Sequence, residues 1–455
     1  MREAPDSNAP SAPVPGRRLR TSSWIAALGL VSVVVLAYRK VLGVKQRPCW
    51  PPPPDAVTPD DARAATEVFA ARADVRPHDA ALRFAWSTAE TIDPHVEGTE
   101  FFPRIFADVR SATSSVHILM FGWREGAVGT RMAALLEEKL AAGVEVRILI
   151  DGFGSRPYKQ AREMFTGLAA AGAQIVVNDV FPPDRDGLFP DGQRIDWRQD
   201  EVGRADHRKL YVLDGEVAWT GGAGIEDHFE NGGFHDIMVR VTGDVVRQAQ
   251  AAFLTSFRGH GATLPADLAA YFPAPKVPGT KSIALAQVIP GGHVAASQAI
   301  REQIDGARDR LDVMNPYLTD HDIIGRLLAA AHRGVRVRVV VSEASNNAQA
   351  TAALRHWYPD MFAAGIEVWE LPGTVVHAKV VVADDVVSFG TVNLDAWALY
   401  RNSEIMMIAR DARLAELMEE RLFEPDIARC HGGEAPQGSH AVFESWFWST
   451  LSNVL

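Results

Sequence analysis

The stretch VVHAKVVVADDVVSFGTVNLDAW, Val375 to Trp397, sets a histidine and a lysine two residues apart at the head of a β-branched run. Val380, Val381 and Val382, bounded by turn residues, predict a strand buried on both faces. Side chains two apart on a strand point the same way, so His377 and Lys379 face one common space. A single occurrence would read as a core histidine beside a lysine that snorkels to solvent. A second copy changes that reading. ADHRKLYVLDGEVAWTGGAGI, Ala205 to Ile225, carries His207, Lys209 and Asp214 at the spacing of His377, Lys379 and Asp384. Each copy continues through a turn, another apolar strand and a small-residue cluster, Thr220-Gly221-Gly222 or Gly390-Thr391.

The repeat extends upstream. SSVHILMFGW (Ser114 to Trp123) resembles DRLDVMNPYL (Asp309 to Leu318), AAGVEVRILID (Ala141 to Asp151) resembles HRGVRVRVVVS (His332 to Ser342), and AAGAQIVV (Ala170 to Val177) resembles AAGIEVWE (Ala363 to Glu370). Gly143 and Gly334 are 191 residues apart and Gly172 and Gly365 are 193 apart, whereas His207 and His377 are 170 apart. The first copy therefore carries about twenty extra residues before its motif, in the Pro-, Gly- and Asp-rich VFPPDRDGLFPDGQRIDWRQDEVGR, which reads as a loop in a position to border a pocket.

Amphipathic segments such as TRMAALLEEKLAAG and IIGRLLAAAHRG stop at glycine and lead into V-E-V-R-I-L-I and V-R-V-R-V-V-V. Alternating helices and strands predict two similar α/β lobes related by a pseudo-twofold axis, 81–272 and 283–430, joined near 272–282 by PAPKVPGTK. The two His-Lys pairs then meet at a shared interface. An apolar tail, 431–455, completes the chain; its FESWFWSTLSNVL is expected either to pack on the second lobe as a terminal helix or to touch a bilayer.

At 455 residues the chain is long enough for two domains. Its formal net charge of -11 argues against a non-specific nucleic-acid binder, which needs a basic surface. Cys49 and Cys430 are too few and too far apart for a zinc or iron-sulfur cluster, and they are either one disulfide or two thiols. The N-terminus is a polar tail, 1–21, followed by an expected transmembrane anchor, 22–42, and a Pro-rich linker, 43–80, that includes Pro51 to Pro54. The uncharged run Thr21 to Tyr38 is 18 residues, against roughly 20 for a span, with Arg and Lys on both sides. A secretory signal is the competing reading, but basic residues follow the run and no small-x-small cleavage site does. The chain is thus expected at a membrane, held by a single N-terminal pass.

The duplicated His-x-Lys-x4-Asp resembles the hallmark of the phospholipase D superfamily, and the lobe repeat from about Gly98 to Ile408 fits it throughout. FGTVNLDAW, the later NSE and GVEVRILIDGFGS most resemble the bacterial cardiolipin synthase branch. Where that branch usually has Gly-Ser-x-Asn after the first motif, this chain has Gly221-Gly222-Ala223-Gly224, and Trp397 stands where an arginine is common. The resemblance implies a catalytic set of His207, Lys209, Asp214, His377, Lys379 and Asp384. One histidine forms a phosphohistidine and the other serves as acid and then base, while Lys209 and Lys379 hold non-bridging oxygens, aided by Asn393 and Thr391. Neither a metal nor a cofactor is needed.

HDIMVRV and SEIMMIA align, which makes Asp236 and Glu404 the expected carboxylates orienting the histidines, 29 residues after His207 and 27 after His377. Asp214 and Asp384 are expected to brace their turns. His95, His117, His228 and His235 have no spacing partner and read as ordinary, and Trp123 and Tyr317, taken as corresponding strand ends, either line the pocket or pack in the core. The expected function is transfer or hydrolysis of a glycerophospholipid resembling phosphatidylglycerol. The rival readings are a hydrolytic phospholipase D or nuclease of the same superfamily, and an inactive membrane-tethered binding protein.

Overall fold

The structure is a computed structural model and describes residues 84–155, 159–178, 205–289 and 293–452. The expected anchor, the linker, Cys49 and the long insertion before the first motif lie outside the described residues. Among those described, no helix is long and apolar enough to cross a membrane.

In chain order the strands are β1 (Trp86–Ala89), β2 (Ile92–Val96), β3 (Ser115–Met120), β4 (Glu145–Asp151), β5 (Gln174–Asn178), β6 (Lys209–Leu213), β7 (Val217–Gly221), β8 (Phe234–His235) and β9 (Ile237–Thr242). They continue as β10 (Lys281–Ile289), β11 (His293–Val294), β12 (Arg310–Met314), β13 (Arg336–Ser342), β14 (Glu367–Leu371), β15 (Val375–Val376), β16 (Val380–Ala383), β17 (Val386–Gly390), β18 (Glu404–Arg410) and β19 (His431–Gly432). The first sheet runs β2-β9-β7-β6-β3-β4-β5 and the second repeats that order as β10-β18-β17-β16-β12-β13-β14. In both, three parallel strands follow helical crossovers and the motif hairpin joins them antiparallel. The second sheet also takes β1 at its edge, paired antiparallel with β10, so a strand within the expected first lobe, 81–272, is built into the second sheet.

Alternation along the motif strands explains their continuous apolar runs. Leu210, Val212, Val380 and Val382 pack into one core shared by both sheets, together with Val239, Met314, Val340 and Phe389. Tyr211 and Leu213 face the first lobe's own helices, and Val381 and Ala383 face those of the second. Strands covered on both faces leave no polar side, which is why the valine runs do not alternate with polar residues.

The tail forms a helix, Gly438–Thr450, packed against the helix Ala348–Arg355; His321 Nε2 lies 3.0 Å from the Ser449 carbonyl oxygen. Val442, Phe443 and Trp446 remain exposed on it.

Candidate active site

The motif histidines are not on the regular strands that the valine runs predict. β6 begins only at Lys209 and β16 only at Val380, and the extended backbone just ahead of each bonds to the opposite lobe. His207 N–H donates to the Ser403 carbonyl at 2.9 Å, and His377 N–H to the His235 carbonyl at 2.7 Å. β8 pairs in parallel with β15, matching His235 with Val376, and Asp206 bridges in parallel to Ser403. One step further along each pairing puts Asp236 beside His377 and Glu404 beside His207.

That register crosses the orienting pairs. Alignment of the two copies pairs each carboxylate with the histidine of its own lobe; the structure pairs each with the other lobe's histidine. His207 Nδ1 lies 2.9 and 3.1 Å from the Glu404 carboxylate oxygens, and His377 Nδ1 lies 2.7 Å from Asp236 Oδ2. With the carboxylates ionised, each Nδ1 is the donor and each Nε2 keeps its lone pair.

Burial sets the electrostatics. Both imidazoles are held well below the usual histidine range by desolvation, with Lys209 and Lys379 adding repulsion. Desolvation lowers Lys209 to about 8 and Lys379 to about 7, and raises Glu404 to about 8 and Asp236 above the ordinary carboxylate value. Lys209 Nζ donates to the His207 carbonyl at 2.7 Å and sits 4.7 Å from the centre of the Phe121 ring. Lys379 Nζ lies 2.8 and 3.1 Å from the two nitrogens of the His377 ring. An anion entering this space would find two lysines and two imidazoles whose proton affinity it raises.

The remaining expected residues separate into two groups. Asp214 and Asp384 stand at the far ends of the motif hairpins, both with left-handed backbone (φ 53° and 54°). Asp214 accepts from the N–H groups of Thr113, Ser114 and Ser115, and Asp384 from those of Arg308, Asp309 and Arg310. Their carboxylates are spent on the loops ahead of β3 and β12, away from the histidines. Thr391 is at the site, but its hydroxyl donates to Glu404 Oε2 at 2.5 Å and accepts from Ile405 N–H, so it supports the carboxylate. Buried Asn393 leaves its Oδ1 without a hydrogen-bond partner among the described residues.

The first lobe's missing hydroxyl has a steric cause. A Cβ at Gly222, the counterpart of Thr391, would lie 2.5 Å from both Asp236 carboxylate oxygens and 2.7 Å from the His377 carbonyl oxygen. Asp236 is one carbon shorter than Glu404, and reaches its histidine only where position 222 has no side chain; its other oxygen accepts from Ile237 N–H.

Trp123 and Tyr317 are not counterparts. Trp123 bridges to Ile225 and Leu318 to Leu394, so Trp123 matches Leu318 and Gly122 matches Tyr317. Trp123 is core, while Tyr317 is half-buried and donates to Asn346.

His95 and His117 are ordinary, paired with Glu100 and with Gln250 and Glu145. His235 is not. Its ring, 2% exposed, lies between Glu97 Oε1 at 2.5 Å and Asp426 Oδ2 at 2.7 Å, the latter an ion pair off the hydrogen-bond line. The two carboxylates outweigh the opposing effect of burial and raise His235 to about 9. Adjacency to Asp236 was the one sequence signal for it. His228 stands beside the site, its ring 4.2 Å from that of Phe234, which in turn is 5.4 Å from His377.

Two α/β lobes that exchange carboxylates across one buried pair of histidines define a bilobal His-Lys enzyme. The family described as "Cardiolipin synthase, PLD-like domain" matches residues 300–425. A probable cardiolipin synthase, YwiE, of Bacillus subtilis (strain 168) is 29% identical over 348 residues, covering 75% of this chain and 67% of its own. A cardiolipin synthase of Listeria monocytogenes serotype 4a is 26% identical over 352 residues, covering 75% and 69%. The crystal structure of phosphatidylserine synthase from Haemophilus influenzae Rd KW20 shares the fold at TM-score 0.61 and 13% identity, over 86% of this chain and 99% of that one. The chain is similar to the phospholipase D superfamily in these matches, which support an enzyme of that superfamily.

Proposed function

We propose that this protein is a membrane-held phosphatidyltransferase that joins two phosphatidylglycerol molecules into cardiolipin and releases glycerol. The observation that carries the reading is the crossed pair His207–Glu404 and His377–Asp236, with both lysines buried beside them. His207 Nε2 attacks phosphorus, the bond from phosphorus to the glycerol oxygen breaks, and His377, protonated once the phosphodiester is bound, gives that oxygen its proton. A hydroxyl of the second phosphatidylglycerol then attacks the phosphohistidine, its proton passes to His377, and the P–N bond to His207 breaks. Lys209 and Lys379 hold the non-bridging oxygens, and Asn393 adds its amide. Glu404, braced by Thr391, and Asp236 keep each Nδ1 protonated throughout.

Water in place of the second lipid gives phosphatidic acid, the minor path. The matches to cardiolipin synthases favour the lipid acceptor, and an anchor at 22–42 with the linker 43–80 would keep the lobes, 81–272 and 283–430, at the bilayer where that acceptor is concentrated. The net charge of -11 disfavours a nucleic-acid substrate. Purified full-length protein in phosphatidylglycerol vesicles should form cardiolipin by mass spectrometry. Accumulation of phosphatidic acid alone would overturn the synthase reading and leave a hydrolytic phospholipase D.

A further inference from the structure

The two copies of the motif treat one position in opposite ways. Matching Gly221 with Gly390 makes Glu226 the counterpart of Asp395, Gly224 that of Asn393 and His228 that of Trp397, as the bridges Trp123 to Ile225 and Leu318 to Leu394 require. Asp395 folds back and accepts from Trp397 N–H and Ala398 N–H at 2.8 and 2.9 Å, capping its own helix. Glu226 makes no side-chain cap bond. Its longer arm passes over two glycines: a Cβ at Gly122 would lie 2.7 Å from Glu226 Oε2, and one at Gly224 would lie 2.8 Å from it. The carboxylate thus fills space that Tyr317 and Asn393 use in the second copy. Its Oε1 pairs with Arg124 Nε at 2.7 Å, and its Oε2 is 3.6 Å from His228 Nε2.

This trio borders both histidines. Phe121, next to Gly122, packs its ring 4.5 Å from that of His207, and Phe229, next to His228, packs 5.3 Å from that of His377. Glu226 is 11% exposed in its side chain, Arg124 53% and His228 34%, so the trio runs from the buried site out to solvent.

We propose that Glu226, Arg124 and His228 form a subsite that selects a polyol headgroup; this rests on the transferase reading above and specifies its alcohol. A carboxylate already paired with a guanidinium accepts hydroxyl protons, while the outer N–H groups of the guanidinium and the imidazole give hydrogen bonds to hydroxyl oxygens. A glycerol headgroup, with adjacent hydroxyls that both donate and accept, satisfies all three at once. An ammonium headgroup meets Arg124 as well as Glu226, and a carboxylate-bearing one meets Glu226 as well as Arg124, so neither gains from the pair as a neutral polyol does. A simple alcohol engages only part of the trio's remaining hydrogen-bonding groups, and sites built around a hydroxyl discriminate against ligands that lack it.

The test is a competition. Full-length protein in phosphatidylglycerol vesicles receives deuterated glycerol and ethanol at equal concentration, and mass spectrometry gives the ratio of deuterated phosphatidylglycerol to phosphatidylethanol. The wild type should favour glycerol by about tenfold or more, the effect of roughly one well-placed hydrogen bond to a charged group. Glu226→Gln, which keeps shape and loses charge, and Arg124→Gln, on a half-exposed side chain that folding tolerates, should each lower the ratio about fivefold. A ratio within twofold of wild type in Arg124→Gln, or in both variants, overturns the subsite while leaving the transferase reading intact. A wild type that makes neither transfer product, only phosphatidic acid, overturns the transferase reading and the subsite with it.

Discussion

His235 lies between carboxylates from both lobes, and removing it should produce a loss of stability that depends on pH in a defined direction. Both ring nitrogens face carboxylate oxygens, which requires an imidazolium, and its folded value of about 9 stands above the ordinary 6.5. At about 1.4 kcal/mol for each tenfold change in proton affinity, that interval corresponds to about 3 kcal/mol. Because the folded value is the raised one, the stabilisation is fully present below about pH 6.5 and is lost as the pH rises through about 9. His235→Gln should therefore cost about 3 kcal/mol at pH 6 and less than about 1 kcal/mol at pH 9.5.

The wild-type curve alone would not show this. Lys209 and Lys379, lowered to about 8 and about 7, make folding more favourable as the pH rises over the same range. Only the difference between variant and wild type isolates His235. Urea midpoints of the full-length protein, taken at half-unit steps from pH 6 to 9.5, measure it. A difference that stays constant across the range would refute an imidazolium at 235 and leave a neutral histidine whose loss costs only packing.

Four further outcomes are expected. His207→Asn and His377→Asn should each abolish turnover about as fully as the double variant, because the two act in one reaction; half the activity in either would mean two independent sites. Cardiolipin formation should survive EDTA, since buried lysines supply the positive charge; loss on chelation that one divalent ion restores would contradict the mechanism. Gly222→Ala should reduce kcat by about 100-fold, because its Cβ meets the Asp236 carboxylate at 2.5 Å, whereas Gly325→Ala, with open space around its Cβ, should stay within about twofold. Asp384→Ala should lower stability by about 1 to 2 kcal/mol through three lost N–H hydrogen bonds and a left-handed backbone, with kcat of the folded fraction kept within about threefold.

The duplication, the α/β character of each lobe and the identity of the paired histidines and lysines are legible in the linear chain. Those features are local: β-branched runs, helical periodicity and a fixed spacing survive in the linear chain because short-range backbone preference and burial of each strand set them. The bracing role of Asp214 and Asp384 was legible for the same reason, since both close turns with nearby backbone. What lay beyond the sequence depends on contacts between lobes. Asp236 serves His377 and Glu404 serves His207 because two short parallel pairings join segments 141 and 197 residues apart, and nothing in either segment alone encodes its partner. The same pairings draw the histidines off their strands, and they set His235 between two charges, though its sequence context reads as ordinary. The loss of the hydroxyl at Gly222 and the longer carboxylate at Glu226 are visible as letters. Only the close approach of Asp236 in one case, and the two glycines beneath the side chain in the other, give each a physical reason.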